Sequence, residues 1–324
     1  MFQRLVIGMG IIGGLAVTSP RAQEAANPPR QTFRSAADVV TIQASVRDAR
    51  GRVVNGLTTT DFEVRDNGQL RPILSLRSDR QSPLSLAILV DMSGSMRIGP
   101  KIAMAREAYD SVLSQLRQDQ DEAALFTFDA TLHERRDFTR DLATLNDGLS
   151  DFEPFGTTSL YDATAAAARR LSARSGTHKA VIVLTDGIDT SSAMTAQAVS
   201  GLASSIDVPV FVVATVPSLD QRVLLEASGR ATPSGAADLR DLAEWTGGQF
   251  VFASTFAETI VAASHLIDEL RQEYVIAIEA ANDREWRRLD VRVRRPSTIV
   301  KARSGYFAGA NSVTDTHSSA SAAR

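Results

Sequence analysis

Ser85-Leu-Ala-Ile-Leu-Val-Asp91-Met-Ser93-Gly-Ser95-Met96 carries an apolar run that breaks into three oxygen-bearing side chains at alternate positions. Leu86 to Val90 is short, continuous and apolar, which predicts a central parallel strand covered on both faces. Ligands of open α/β sheets gather beyond the carboxyl ends of such strands, where Asp91, Ser93 and Ser95 fall. A carboxylate with two hydroxyls suits a hard cation: Mg²⁺ takes about six oxygen ligands and keeps several waters, with no call for thiolate or imidazole.

Two further segments supply oxygens in the same setting. Ala180-Val-Ile-Val-Leu184 is a second apolar strand that runs into Thr185-Asp186-Gly187, placing another carboxylate at a strand's carboxyl end. Phe155-Gly-Thr-Thr-Ser-Leu-Tyr-Asp162 is a turn leading into the Ala-rich helix 163–171, with Thr157 or Thr158 at its start. Each piece has a plainer reading, in which Asp91 or Asp186 caps a helix and Thr158 is an N-cap. Three oxygen-bearing segments converging on one end of one sheet favour a shared site.

The pieces Asp91-Met-Ser93-Gly-Ser95, Gly156-Thr157-Thr158 and Thr185-Asp186-Gly187 together resemble the metal-ion-dependent adhesion site of von Willebrand factor A domains. The resemblance implies that Asp91, Ser93, Ser95, Thr158 and Asp186 are the metal site, with the hydroxyls near the ion and the two carboxylates acting largely through bound water. It also implies that Mg²⁺, with Mn²⁺ or Ca²⁺ as alternatives, is the ion, and that a protein partner supplies a carboxylate to it. The family's Gly-Gly-Thr pattern aligns Thr158 with the ligand place and leaves Thr157 where the family has glycine, so a position that demanded φ > 0 would be strained here. Asp162, Asp189 and Arg97 lie close in sequence and read as supporting or solvated residues. The flanks, from Val39 through the Asp66-Asn-Gly68 turn and from Ala243 to Phe307, are similar to a bacterial VWFA-related group first described in Acidobacteria.

The fold class that follows is α/β: a doubly wound, mainly parallel sheet of von Willebrand A or Rossmann-like type, with a small β-sandwich formed from the flanking segments. The expected division is a signal peptide at 1–22, a linker at 23–33, an N-terminal sandwich segment at 34–82, the A domain at 83–271, a C-terminal sandwich segment at 272–308 and a disordered tail at 309–324. Alternating patterns such as Leu289-Asp-Val-Arg-Val-Arg294 fit sandwich strands. Two half-modules at opposite chain ends complete one sandwich only if the intervening domain is an insertion. Within that domain Ile102, Ala105, Tyr109, Val112 and Leu116 mark one helix face. Helices are expected at 142–152, 163–171 and 193–206, and strands at 122–128 and 210–214; Pro217 to Ala237 reads as irregular.

With 324 residues and 44% hydrophobic content the chain can bury one large core and one small one. Its net charge of −3 and pI near 5.9 offer no basic field for nucleic acid. Arg4 followed by the apolar stretch Leu5 to Val17 reads as an export signal, which places the chain in the periplasm or outside the cell; membrane contact would come only through an uncleaved N-terminal anchor. There is no Cys, so disulfides and lipoprotein anchors are excluded. Gly8-Met-Gly10-Ile-Ile-Gly13 matches a dinucleotide fingerprint, but Pro20, Pro28 and Pro29 follow before a βαβ unit could close.

Catalysis lacks its parts. His133, His178, His265 and His317 show no metal spacing, there is no G-x-S-x-G elbow, and His178 enters its strand at the end away from Ser93. The expectation is an exported, cation-dependent adhesion or scaffold module that is not an enzyme. The alternatives are a structural protein with a vestigial site and, more remotely, a hydrolase.

Overall fold

The computed structural model describes residues 39–78, 81–149, 152–176, 178–216, 235–281, 283 and 285–308. The signal, linker and tail read at 1–22, 23–33 and 309–324 lie outside these residues.

The chain opens with β1 (Val39–Asp48), β2 (Phe62–Asp66), β3 (Gln69–Arg71) and β4 (Ile73–Arg77). Asn67 and Gly68 turn β2 into β3 with φ of 48° and 81°, the pair of left-handed residues that a tight two-residue hairpin requires. Then follow β5 (Leu84–Asp91), α1 (Lys101–Ser114), β6 (Glu122–Phe128), β7 (Leu132–Thr139), α2 (Leu160–Ser172), β8 (His178–Thr185), α3 (Ala196–Ser205), β9 (Val210–Thr215), α4 (Gly235–Thr246), β10 (Phe250–Ala253) and α5 (Phe256–Leu270). The chain returns through β11 (Tyr274–Glu279), β12 (Trp286–Val293), β13 (Thr298–Ala302) and β14 (Gly305–Phe307).

Among the described residues the strands make three sheets. The central one runs β10-β9-β8-β5-β6-β7, parallel except for β7, which returns antiparallel along the edge of β6. All eight residues of β5 are buried because helices cover both faces. Leu86, Ile88 and Val90 pack with Tyr109 and Val112 of α1 and Leu266 of α5, while Ala87 and Leu89 pack with Leu160 and Ala168 of α2. The two-residue alternation of a strand thus feeds two cores.

The other two sheets, β13-β1-β11-β4 and β14-β12-β2-β3, combine strands from both ends of the chain. Val39 of β1 pairs antiparallel with Glu279 of β11, and Val64 of β2 with Val291 of β12. The sandwich core holds Ile42, Val64, Ile276, Leu289 and the edge-to-face rings of Phe62 and Tyr274, 5.3 Å apart. The α/β domain is therefore inserted between β4 and β11.

Two expectations need correction. The helix expected at 142–152 is not an α-helix among the described residues 142–149: a 3-10 turn at Leu142–Leu145 gives way to turns, where Asn146, Asp147 and Gly148 are poor helix formers. A Cβ at Gly148 would fall 2.4 Å from Leu125, so this stretch lies flat against β6. Gly235 to Ala237, read as part of an irregular segment, open α4; residues 217–234 lie outside the described residues. Among the described residues no helix is long and apolar enough to cross a membrane.

Candidate metal site at the carboxyl end of the sheet

Asp91 is the last residue of β5 and is fully buried. Its Oδ1 accepts from Ser93 N at 2.9 Å, a local turn that folds the chain back over the strand end. Its Oδ2 accepts from Thr185 Oγ1 at 2.6 Å, and that hydroxyl accepts in turn from Gly187 N at 3.0 Å. Gly187 sits at φ +86°, the conformation that lets the chain leave β8 and point its amide back at Thr185. The third loop is thereby locked to Asp91, and Asp186 is held beside it.

Ser93 and Ser95 bring their hydroxyl oxygens within 3.1 Å of each other in the 3-10 turn that follows. The second loop is tied to the first by Phe155 N to Met92 O at 2.7 Å and Gly94 N to Gly156 O at 2.9 Å. A Cβ on Gly94 would meet Gly156 O at 3.2 Å, which is why the small residue stands between the two serines. Thr158 is buried; its N–H donates to Thr190 Oγ1 at 2.9 Å and its carbonyl accepts from Thr190 N and Ser191 N. The second and third loops are thus joined at Thr158 itself.

The capping alternatives do not hold. The first amides of α2 donate to Asp189 Oδ1, from Leu160, and to Ser192 Oγ, from Tyr161 and Asp162, so Thr158 is not the cap. Neither Asp91 nor Asp186 caps α1, whose N-cap residue is Pro100 with no side-chain bond. Asp162 accepts from Ala193 N and Met194 N, which makes it and Asp189 braces of the third loop. Thr157 does not adopt positive φ, so its Cβ is unstrained where the family has glycine, and its hydroxyl accepts from Ser191 Oγ at 3.1 Å. Arg97 is exposed.

Two participants escaped the sequence reading. Thr185 stands in the Thr-Asp-Gly segment and carries the bond to Asp91. Lys101, the first residue of α1, is 6% exposed and places Nζ 3.0 Å from Asp186 Oδ2. The signal for it was faint: Lys101 is one of three lysines in a chain that otherwise uses arginine.

The electrostatics mark the place as short of positive charge. Burial pushes the Asp91 carboxyl up to about 7, the neighbouring Asp186 charge adds to the rise, and the bonds from Thr185 and Ser93 offset part of it. Asp186 is buried too, and its Oδ1 has no hydrogen-bond partner among the described residues. A buried carboxylate oxygen left in this way is costly unless something charged completes it. Among the described residues there is no cluster of three or more His, Cys, Asp or Glu. The donor set here is two carboxylates and hydroxyls, which fits a hard divalent ion that keeps some of its water.

Residues 86–189 match the family described as von Willebrand factor type A domain. The match is to the type A domain in general and does not reach the flanking strands or the narrower bacterial group. No curated protein matches the chain. Among solved structures it is similar to a conserved hypothetical protein, BatB, from Bacteroides thetaiotaomicron (18% identity, 58% of this chain and 98% of that one, TM-score 0.46). It is also similar to a von Willebrand factor type A protein from Catenulispora acidiphila (13%, 85% and 76%, 0.48). A third is proximal thread matrix protein 1 of the mussel byssus, described with a zinc-occupied MIDAS motif (16%, 64% and 50%, 0.49).

Proposed function

Taking as premise that the chain contains a von Willebrand factor type A domain at residues 86–189, we propose that it is an exported protein-binding module whose capture of partners depends on a divalent cation. Domains of this family mediate protein–protein interactions. In this reading Asp91, Ser93, Ser95, Thr158 and Asp186 hold Mg²⁺, with Mn²⁺ or Ca²⁺ as substitutes. The bound ion supplies a positive centre with a position open to an acidic oxygen of the partner. Export is read from residues 1–22.

The observation that carries the proposal is the unpartnered, buried Oδ1 of Asp186 beside the destabilised charge of Asp91. The chain's own residues do the rest. Thr185 orients Asp91, Gly94 and Gly156 bring the hydroxyl-bearing loops together, and Asp162 and Asp189 brace the third loop. Three exposed apolar side chains lie within three residues of the ligands in sequence, one on each loop: Ile98 at 65%, Phe155 at 76% and Ile188 at 37%. Binding, not bond breaking, suits these parts, because His178 stands at the amino end of β8, away from the serines.

One observation favours the alternative of a vestigial, structural site: Lys101 already pairs with Asp186. Thermal unfolding across titrations of Mg²⁺, Mn²⁺ and Ca²⁺ decides between them. An ion at 100 times its dissociation constant adds about 2.7 kcal/mol to wild-type stability, and Asp91→Ala abolishes the gain. No gain with any of the three ions, together with an unchanged set of captured proteins when chelator is added, would leave the vestigial reading.

A further inference from the structure

We infer that Glu273 is a proton-operated latch on the seam between the sandwich and the α/β domain: the seam is shut while the Glu273 carboxyl holds its proton and opens locally when that proton leaves. The seam lies at the amino end of β8, where Lys179 lines a cavity with Thr41, Asp207, Val275 and Arg303. The inference is independent of the cation-binding reading, whose residues lie at the other end of the sheet.

The seam is built from side chains that alternate along β1. Ile42, Ala44 and Val46 enter the sandwich core, while Thr41, Ser45 and Arg47 reach the α/β domain. Thr41 Oγ1 donates to Asp207 Oδ2 at 2.6 Å, and Ser45 Oγ and Arg47 Nη2 donate to the Glu269 carboxylate at 3.0 and 3.2 Å. Arg303, between β13 and β14, donates to the carbonyls of Ser204 and Thr41, and Ser304 N donates to Trp245 O at 2.9 Å. These contacts are polar, whereas the clusters on either side of them are apolar. Arg271, Gln272 and Glu273 alone join α5 to β11 across this seam. Tyr274, the next residue, is fixed in the sandwich core by the Phe62 ring and by its hydroxyl bond to Val54 O at 2.9 Å, so Glu273 has little freedom to swing outward.

Glu273 is 3% exposed, and its Oε2 has no hydrogen-bond partner among the described residues. The charged groups that act on it are Glu269 of α5 and Asp207 of the α3–β9 turn, both negative. The cations around those two acids are engaged: Arg47 and Lys301 with Glu269, Arg303 with Asp207, and Lys179 with Ser172 O at 2.9 Å. Arg271, two residues away, is held by Asp121 and Gln115 O. Burial, and then the charges of Glu269 and Asp207, hold the Glu273 carboxyl well above its ordinary 4.5. Once ionised it is a buried, unpaired charge beside two of the same sign. Parting the polar seam admits water at less cost than opening either apolar core. The sign follows from the raised value: the contribution to closure is complete below about pH 4.5 and is lost as pH rises from there through the value in the closed state.

The Ser304 amide, whose bond to Trp245 O crosses the seam, is the reporter, and the Ile88 amide in the central strand is the reference. Amide hydrogen exchange of the full chain is followed between pH 5 and 9 and corrected for the intrinsic base-catalysed rate, in wild type and in Glu273→Gln and Glu273→Met, which remove the titrating group. The expected result in wild type is an opening constant at Ser304 that rises by up to about tenfold per pH unit, the slope of one released proton, while that at Ile88 does not follow it. Both variants should exchange Ser304 with no such slope. A pH-independent opening constant at Ser304 in wild type overturns the inference without recourse to any variant. The wild-type slope persisting in either variant assigns the proton to another group and overturns it as well. An equal slope at Ile88 shows loss of the whole fold in place of a local opening, and the latch falls with it.

Discussion

The two ends of the parallel sheet hold buried carboxylates in opposite circumstances. At the amino end Asp121, just before β6, accepts from Leu84 N, Arg117 N and the Arg271 guanidinium, at 2.9, 2.6 and 2.5 Å. Its neighbour Glu122 accepts from Ser85 Oγ at 2.7 Å and from both Nε and Nη2 of Arg174. At the carboxyl end Asp91 has a hydroxyl and an amide, and Asp186 has one ammonium and one bare oxygen. Residue type and burial are nearly the same; the supply of positive charge is not. Saturated carboxylates hold the fold together, and the under-supplied pair at the carboxyl end is where the proposed cation would bind.

The sharpest way to break this comparison is to make the same isosteric change at both ends. Asp121→Asn leaves the Arg271 guanidinium buried without its counter-charge, and equilibrium denaturation should show a loss of about 3–5 kcal/mol. Asp91→Asn should cost less than about 1 kcal/mol without added metal, because burial already brings the neutral form within reach near pH 7. In return it should abolish stabilisation by Mg²⁺, which Asp121→Asn leaves intact in the fraction that folds. Equal losses of stability at the two positions would show that the ends do not differ in kind.

Acid provides a second, smaller contrast. The bond from Arg174 holds the Glu122 carboxyl below its ordinary value of 4.5, against the opposing effect of burial. For Asp121 burial raises the value, but the Arg271 bond and the Leu84 and Arg117 amides outweigh it and the carboxyl lies below 3.8. Both groups are more acidic folded than unfolded, so their stabilisation is complete above the unfolded values and is lost as pH falls through the folded ones. Stability in chelator should therefore decline from about pH 4.5 downward, and Arg174→Met should flatten the upper part of that decline. An unchanged acid limb in Arg174→Met would remove Glu122 from the account.

Most of the fold was legible because buried parallel strands write themselves as unbroken apolar runs. Leu86 to Val90, Ala180 to Leu184 and Val210 to Ala214 are β5, β8 and β9 within a residue or two at each end. The insertion of the α/β domain into a sandwich was legible from alternation at both ends of the chain, and β1 pairing with β11 realises it. The false helix at 142–152 came from Leu142, Leu145, Leu149 and Phe152, which do face the core, but from a flat turn forced by the contact of Gly148 with Leu125. At the site, the loops that hold Asp91, Ser93, Ser95, Thr158 and Asp186 are bonded to one another. Lys101 was hidden for a physical reason: its role depends on a long side chain reaching Asp186, 85 positions away, and no local periodicity encodes that reach.

The smallest expected effect on stability lies at the rim, where the carboxyl end differs from the amino end in what it shows to solvent. Phe155 stands three residues before Thr158, Ile98 three after Ser95 and Ile188 two after Asp186, so each ligand-bearing loop exposes one large apolar side chain close to its ligand. Single exposed apolar residues are ordinary on protein surfaces; if these three take part in the proposed recognition, they would supply apolar contacts that exclude water around a charged anchor. Phe155 serves the loop itself through its backbone, the N–H donating to Met92 O, and that bond survives loss of the ring. Phe155→Ala should therefore change unfolding free energy by no more than about 0.5 kcal/mol and leave Mg²⁺ affinity where it was. It should nonetheless reduce chelator-sensitive capture from an envelope extract by roughly fivefold or more, the weakening that truncation of an interface anchor brings. Undiminished capture would confine recognition to the ion and its ligands and make the apolar rim incidental.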